Sequence, residues 1–150
     1  MGPVFAIKFL PDTSVHLLAG SEDGCLRLWD TRECTLLRVF EGHNASISAI
    51  SISGDGSRVV VGSSDGYIDI YAMSNDQPIA SFEGHSSQVT TIAFSPVNDD
   101  VLLSGGPEDP EMKIWESDDG GIAWTVIKTF RGKTTQAAFS PDGSRITAGA

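Results

Sequence analysis

The chain has little that would give it chemistry of its own or a place in a membrane. Two cysteines, Cys25 and Cys34, are all it has in 150 residues. That is too few for a disulfide framework, and their spacing fits no metal-binding pattern, so both are expected to be reduced, inert thiols. Ten basic side chains face twenty acidic ones, for a formal net charge of −10, and no basic run exists. Such a chain has little with which to neutralise a phosphate backbone, so neither nucleic acid nor a membrane surface is an expected partner. No uncharged apolar stretch approaches the roughly 20 residues of a membrane span, and the opening MGPVFAIKFLPD turns polar too early for a signal peptide. A cytoplasmic protein is expected, with the nucleus as the other compartment open to it.

What is present is the apolar content of one domain, 40%, arranged periodically. Gly42-His43 returns as Gly84-His85 after 42 residues, and Trp29, Tyr71 and Trp115 follow one another at intervals of 42 and 44. Each aromatic closes an alternating run, CLRLW from Cys25, YIDIY from Tyr67 and EMKIW from Glu111. Alternation with a period of two is the pattern of a strand. Before the runs lie Ser-Glu-Asp-Gly (21–24), Ser-Ser-Asp-Gly (63–66) and the longer Pro-Glu-Asp-Pro (107–110). An Asp-Gly pair between strands signals a hairpin, because glycine accepts the positive φ that tight turns require. Further turns stand at Phe9, Ile52, Phe94 and Phe139, each between two apolar runs.

In order, a unit reads strand a, turn, strand b, Asp-bearing turn, strand c ending in an aromatic, turn, strand d. The units are 1–41, 42–83 and 84–131, with a half unit, 132–150, whose PDGSRITAGA matches GDGSRVVVGS of the second. Strands are expected near Val4–Phe9, Leu17–Gly20, Leu26–Trp29 and Leu36–Phe40, with equivalents one and two periods later.

The period, the Gly-His start, the Asp-Gly turn, and Trp29-Asp30 echoed at Trp115-Glu116 resemble the WD-repeat family. That resemblance implies an all-β fold, with four-stranded antiparallel blades of a β-propeller. It further implies a structural network of His, Asp, Ser or Thr, and Trp within a blade. The third unit carries the full set, His85, Ser104, Asp109 and Trp115, with Glu108 as a possible substitute for Asp109. The second keeps His43 and Asp65 but has Val61 at the hydroxyl position and Tyr71 for the tryptophan. The first has Asp23 and Trp29, with Ala19 at the hydroxyl position and no preceding Gly-His.

His, Asp and Ser also spell a hydrolytic triad, which is defined by geometry and roles. Here the trio recurs with the unit, which favours support of the fold over a unique active site. His16, His43 and His85 fall in different units or positions, so no compact metal site is expected. The acidic turns Asp99-Asp100 and Asp118–Gly121 lack the alternating oxygen ligands of a calcium loop and read as solvated turns. No cofactor is expected.

By the resemblance, the chain is a non-catalytic platform on which proteins or peptides dock. The docking face would carry the d–a loops and the b–c turns, with Glu22, Ser64 and Glu108 exposed just before the turn aspartates. With Asp23 and Asp109 nearby that face is expected to be acidic, suiting a basic or mixed-charge partner, although the same charges also serve solubility. The alternative is a ligand-sensing repeat segment of a larger regulatory NTPase, whose catalysis would lie elsewhere because no GxxxxGK[ST] loop is present. Three and a half units cannot close a ring. An open arc with apolar ends, self-association through open blade edges, and origin as a fragment are therefore expected.

Overall fold

A computed structural model describes residues 2–11, 15–40 and 44–149. Their regular structure is entirely strand, in three four-stranded sheets and one pair. The first sheet holds β1 (Val4–Phe9), β2 (His16–Ser21), β3 (Leu26–Asp30) and β4 (Thr35–Phe40). The second holds β5 (Ile47–Ile52), β6 (Arg58–Ser63), β7 (Tyr67–Ala72) and β8 (Pro78–Glu83). The third holds β9 (Thr91–Phe94), β10 (Val101–Gly105), β11 (Glu111–Glu116) and β12 (Thr125–Arg131). β13 (Gln136–Phe139) and β14 (Ile146–Gly149) pair with each other. In every sheet the order in space follows the order in sequence, and all neighbours are antiparallel. These are blades of an open, partial β-propeller.

Both sides of a middle blade are covered, which is why its strands are apolar on both sides. Leu18, Leu26 and Phe40 of the first sheet meet Ile47, Ile50, Val59 and Tyr71 of the second in one core. Val60, Ile68 and Ile70, from the other side of the second sheet, meet Ile92, Leu102 and Trp115 in the next. One aromatic contact recurs across both cores. Phe40 of β4 stands edge-on to Tyr71 of β7, centroids 5.5 Å apart, and Phe82 of β8 lies 4.9 Å from Trp115 of β11. Such pairs add about 0.5–1.5 kcal/mol beyond the area they bury.

Polar ties accompany the cores. The Ser51 hydroxyl accepts the Phe94 N–H at 3.0 Å, and Thr91 Oγ1 accepts the Ala137 N–H at 2.9 Å. Asp99 and Asp100 are not the solvated turn the sequence suggests. Asp99 accepts the Gly54 N–H at 3.1 Å, and Asp100 pairs with Arg58 at 2.9 Å, so both tie the third sheet to the second. Asp119, in the other acidic turn, accepts from Ser117 and from the N–H groups of Ile122 and Ala123. Cys34 sits exposed in a turn with φ +54°, whereas Cys25, expected on a strand, lies in the turn just before β3.

Two strands are left uncovered. On β1, Phe5, Ile7 and Phe9 are more than half exposed, at 56, 58 and 57%, and all seven residues of β12 are exposed.

Close approach between blades is tight at Gly66, in the turn between β6 and β7. Its φ is +90°, and a Cβ there would sit 2.0 Å from the His85 carbonyl oxygen. Gly120 has a similar φ of +81° with nothing within 4 Å. Gly120→Ala should therefore cost only the backbone strain, about 1 kcal/mol, whereas Gly66→Ala adds a clash and should cost about 3 kcal/mol or more. Urea unfolding midpoints measure both, and equal losses would contradict this packing.

A candidate docking face and its buried support

Short backbone bonds gather the loops between sheets and the turns between second and third strands on one face. Glu22 N–H donates to Pro3 O, and Ser64 N–H to Ser46 O, each at 2.9 Å. His85 N–H donates to Gly66 O at 3.1 Å and Thr90 N–H to Gly105 O at 3.0 Å. The Ser46 hydroxyl reaches across to Glu22 O at 3.1 Å. The loop before the second sheet is thus pinned to the turn of the first through Ser46 and Glu22, and the loop before the third to the turn of the second through His85 and Gly66. Glu22, Ser64 and Glu108 stand exposed on these turns.

Behind each exposed tip is an aspartate, and each sheet satisfies it differently. A shared rule covers most turns. In Ser-x-Asp-Gly the serine hydroxyl donates to the aspartate two residues on, at Ser21–Asp23, Ser53–Asp55, Ser63–Asp65, Ser117–Asp119 and Ser140–Asp142. The glycine that follows has positive φ in every case, at Gly24, Gly56, Gly66, Gly120 and Gly143. In the first sheet Asp23 also receives Arg27 from β3, with Nη2 to Oδ2 at 2.6 Å and Nη1 to Oδ1 at 3.1 Å. That fork, aided by Ser21, holds the Asp23 carboxyl well below its ordinary range.

The third sheet has no serine in this turn and uses a buried chain instead. His85 Nδ1 lies 2.8 Å from Asp109 Oδ2, and its Nε2 lies 2.7 Å from Ser104 Oγ. Trp115 Nε1–H donates to the same Oγ at 2.8 Å. Counting donors assigns the protons. The indole gives to the serine, the serine gives to Nε2, and Nδ1–H remains for Asp109, so the imidazole is neutral. Burial lowers the His85 pKa and outweighs the opposing pull of Asp109. Burial raises that of Asp109, but hydrogen bonds from Glu111 N–H and His85 more than reverse it, and the net shift is downward. Lys113 donates to Gly84 O at 2.7 Å beside this chain.

The distances within Ser104, His85 and Asp109 are those of a hydrolytic triad. Access is not, because Ser104 is 0% and His85 2% exposed, and the Ser104 oxygen already accepts an indole N–H. No substrate carbonyl can reach it. Glu108 points outward and Asp109 takes the histidine, so the extra turn residue does not exchange their roles.

Register explains why the chain is confined to one sheet. Leu17, Val59 and Leu102 sit opposite Trp29, Tyr71 and Trp115. Two residues further along come Ala19, Val61 and Ser104, so only the third sheet has a hydroxyl in this slot. Trp29 is half-buried and Tyr71 fully buried, and His43 lies outside the described residues. Arg27 was not singled out in the sequence, although an arginine four residues after the turn aspartate was a visible signal. The expected acidity also has a different source. Asp109 is buried and Asp23, although exposed, is paired with Arg27, so the exposed carboxylates without an ion pair are those of Glu22, Asp65, Glu83 and Glu108.

The sequence model of the family described as nucleolar protein 10-like, N-terminal domain, a β-propeller, matches residues 6–149. A WD repeat-containing protein of Schizosaccharomyces pombe is 44% identical over 57 residues, covering 38% of this chain and 14% of that protein. Transcription initiation factor TFIID subunit 5 of Caenorhabditis elegans is 37% identical over 59 residues, 39% of this chain and 9% of the relative. Small ribosomal subunit protein RACK1y of Oryza sativa is 33% identical over 57 residues, 37% of this chain and 17% of the relative. The chain thus spans well under a fifth of each of these curated relatives.

The buried chain and the exposed turn should differ in their worth. Ser104→Ala strands an indole N–H and an imidazole nitrogen inside the protein and should cost about 1–3 kcal/mol, whereas Ser63→Ala, whose Asp65 partner is open to water, should cost less than about 1 kcal/mol. Guanidinium titrations of the two variants check this. An unchanged midpoint for Ser104→Ala would refute the assignment of the network.

Proposed function

The chain belongs to the nucleolar protein 10-like N-terminal β-propeller family, a WD-repeat family, and from that membership we propose that it is a non-catalytic docking platform for a basic or mixed-charge protein segment. Members of this fold among its relatives are named as parts of complexes, a TFIID subunit and a ribosomal subunit protein, which supports a scaffold role. The observation that carries the reading is the contrast at the turns. Glu22, Ser64 and Glu108 are exposed at corresponding places on three blades, while the groups directly behind them are fixed by Arg27, Ser63 and His85. A rigid backing lowers the entropic cost of binding.

Charge favours a basic partner over the first two blades of this face. Glu22, Asp65 and Glu83 are exposed there, and the nearby cations Arg27 and Lys113 are engaged with Asp23 and Gly84 O. Complementary charge chiefly sets encounter rate and selectivity. The non-catalytic part of the proposal is supported by the inaccessibility of Ser104, and the nuclear names of the family and relatives support a nuclear location over the cytoplasmic one. Self-association is a second component of the proposal, supported by the exposed Phe5, Ile7 and Phe9 of β1.

A fluorescent peptide with lysines alternating with serines should bind the protein, and Glu22→Lys with Glu108→Lys should weaken it by about tenfold while leaving the thermal midpoint unchanged. Binding untouched by the reversals would overturn the choice of face. Hydrolysis of an ester or peptide substrate that disappears in Ser104→Ala would overturn the non-catalytic reading.

A further inference from the structure

The charge of the chain is divided unevenly along its length. Lys128, Arg131, Lys133 and Arg145 lie beyond residue 119 with one acid, Asp142, whereas the residues before hold the other six basic and nineteen acidic side chains. An excess of positive charge therefore sits on one end of an otherwise strongly acidic protein. Asp142 offsets one of the four charges but forms no ion pair with any of them. Its carboxylate is taken by the Ser140 and Ser144 hydroxyls and the Ser144 N–H, at 2.7, 2.7 and 3.0 Å. Among the described residues none of the four cations forms an ion pair, although Arg27, Arg38 and Arg58 all do.

Two of those cations, Lys128 and Arg131, lie on a sheet edge that also carries apolar surface. β12 is the outermost strand of its sheet, with one edge of its backbone unpaired, and Val126, Ile127 and Phe130 on it are 42, 53 and 37% exposed. Lys128 lies over the Phe130 ring at 5.1 Å. The comparable strands differ in chemistry. On β4 the arginine, Arg38, is paired with Asp76, and β8 (PIASFE) carries no basic residue and ends in Glu83. The basic character belongs to β12 alone among the outer strands.

We propose that β12 is a second docking edge, which takes an acidic extended peptide in which carboxylates alternate with apolar side chains. Added as a further strand, the peptide would pair its backbone with the open edge. With a period of two, its carboxylates would lie on the face of Lys128, whose ammonium stands over Phe130, and its apolar side chains on the other face, where the register shift between Ile114 and Trp115 puts Val126. Occupancy by nucleic acid or an anionic bilayer is disfavoured, because the acidic remainder of the chain would repel an extended polyanion while a short peptide is confined to the edge. This surface is separate from the turn face proposed above, and its partner has the opposite charge.

The test is fluorescence anisotropy with a labelled peptide of alternating glutamate and valine. Wild-type protein should bind it, more weakly as salt is raised, and Lys128→Glu with Lys133→Glu should weaken binding by at least about tenfold. Arg32→Glu, at an exposed site on the first blade, should leave it unchanged. A lysine–valine peptide that binds equally well, or reversals without effect, would overturn the proposal. So would preferential binding of duplex DNA or anionic vesicles, or a self-associated protein in sedimentation that the same reversals dissociate. Glu22→Lys and Glu108→Lys should not affect this binding, which keeps the fate of the two faces distinguishable.

Discussion

A blade packed on both sides cannot leave a polar group at the end of its strands without a partner. That constraint organises the molecule. Each turn between second and third strands places an aspartate at the rim of a core, where a carboxylate without partners costs more the deeper it lies, most of all at the buried Asp109. Three solutions appear in three successive blades. Arg27 forks onto Asp23, Ser63 donates to Asp65, and His85 links Asp109 through Ser104 to Trp115. The loops that arrive over these turns are held by the same groups. The exposed tips therefore stand on a fixed base, which a docking face needs.

The two surfaces follow from where satisfaction ends. On the turn face the aspartates are engaged, and the tips Glu22, Ser64 and Glu108 are left to solvent. On β12 the cations have no carboxylate to meet and the apolar side chains have no blade to cover them. Recognition at the first surface is by charge on loops, and at the second by a strand edge.

Most of the architecture was legible because it is periodic. Alternation in CLRLW, YIDIY and EMKIW placed β3, β7 and β11, and Asp-Gly placed the turns before β3 and β7. The single complete network was legible from Ser104 against Val61 and Ala19, since register carries a one-residue difference to a definite place. What escaped were contacts between units. Asp99 and Asp100 read as turn residues because their partners, Gly54 and Arg58, are more than 40 positions away and no pattern links them. Arg27 escaped because the repeat pattern assigns no cation to that strand position.

The most direct test of this account is the protonation of His85. Because burial lowers its pKa from the ordinary 6.5, the folded protein does not take up the proton that the unfolded chain binds. Stability contributed by the neutral ring is complete above 6.5 and is lost as pH falls below it. Nitrogen-15 NMR of labelled histidine should show His85 as a neutral ring protonated on Nδ1 at neutral pH, with any imidazolium in the folded state appearing only below the ordinary 6.5. An imidazolium signal for His85 titrating near 6.5 in the folded state would contradict the buried, fully satisfied chain on which the account rests.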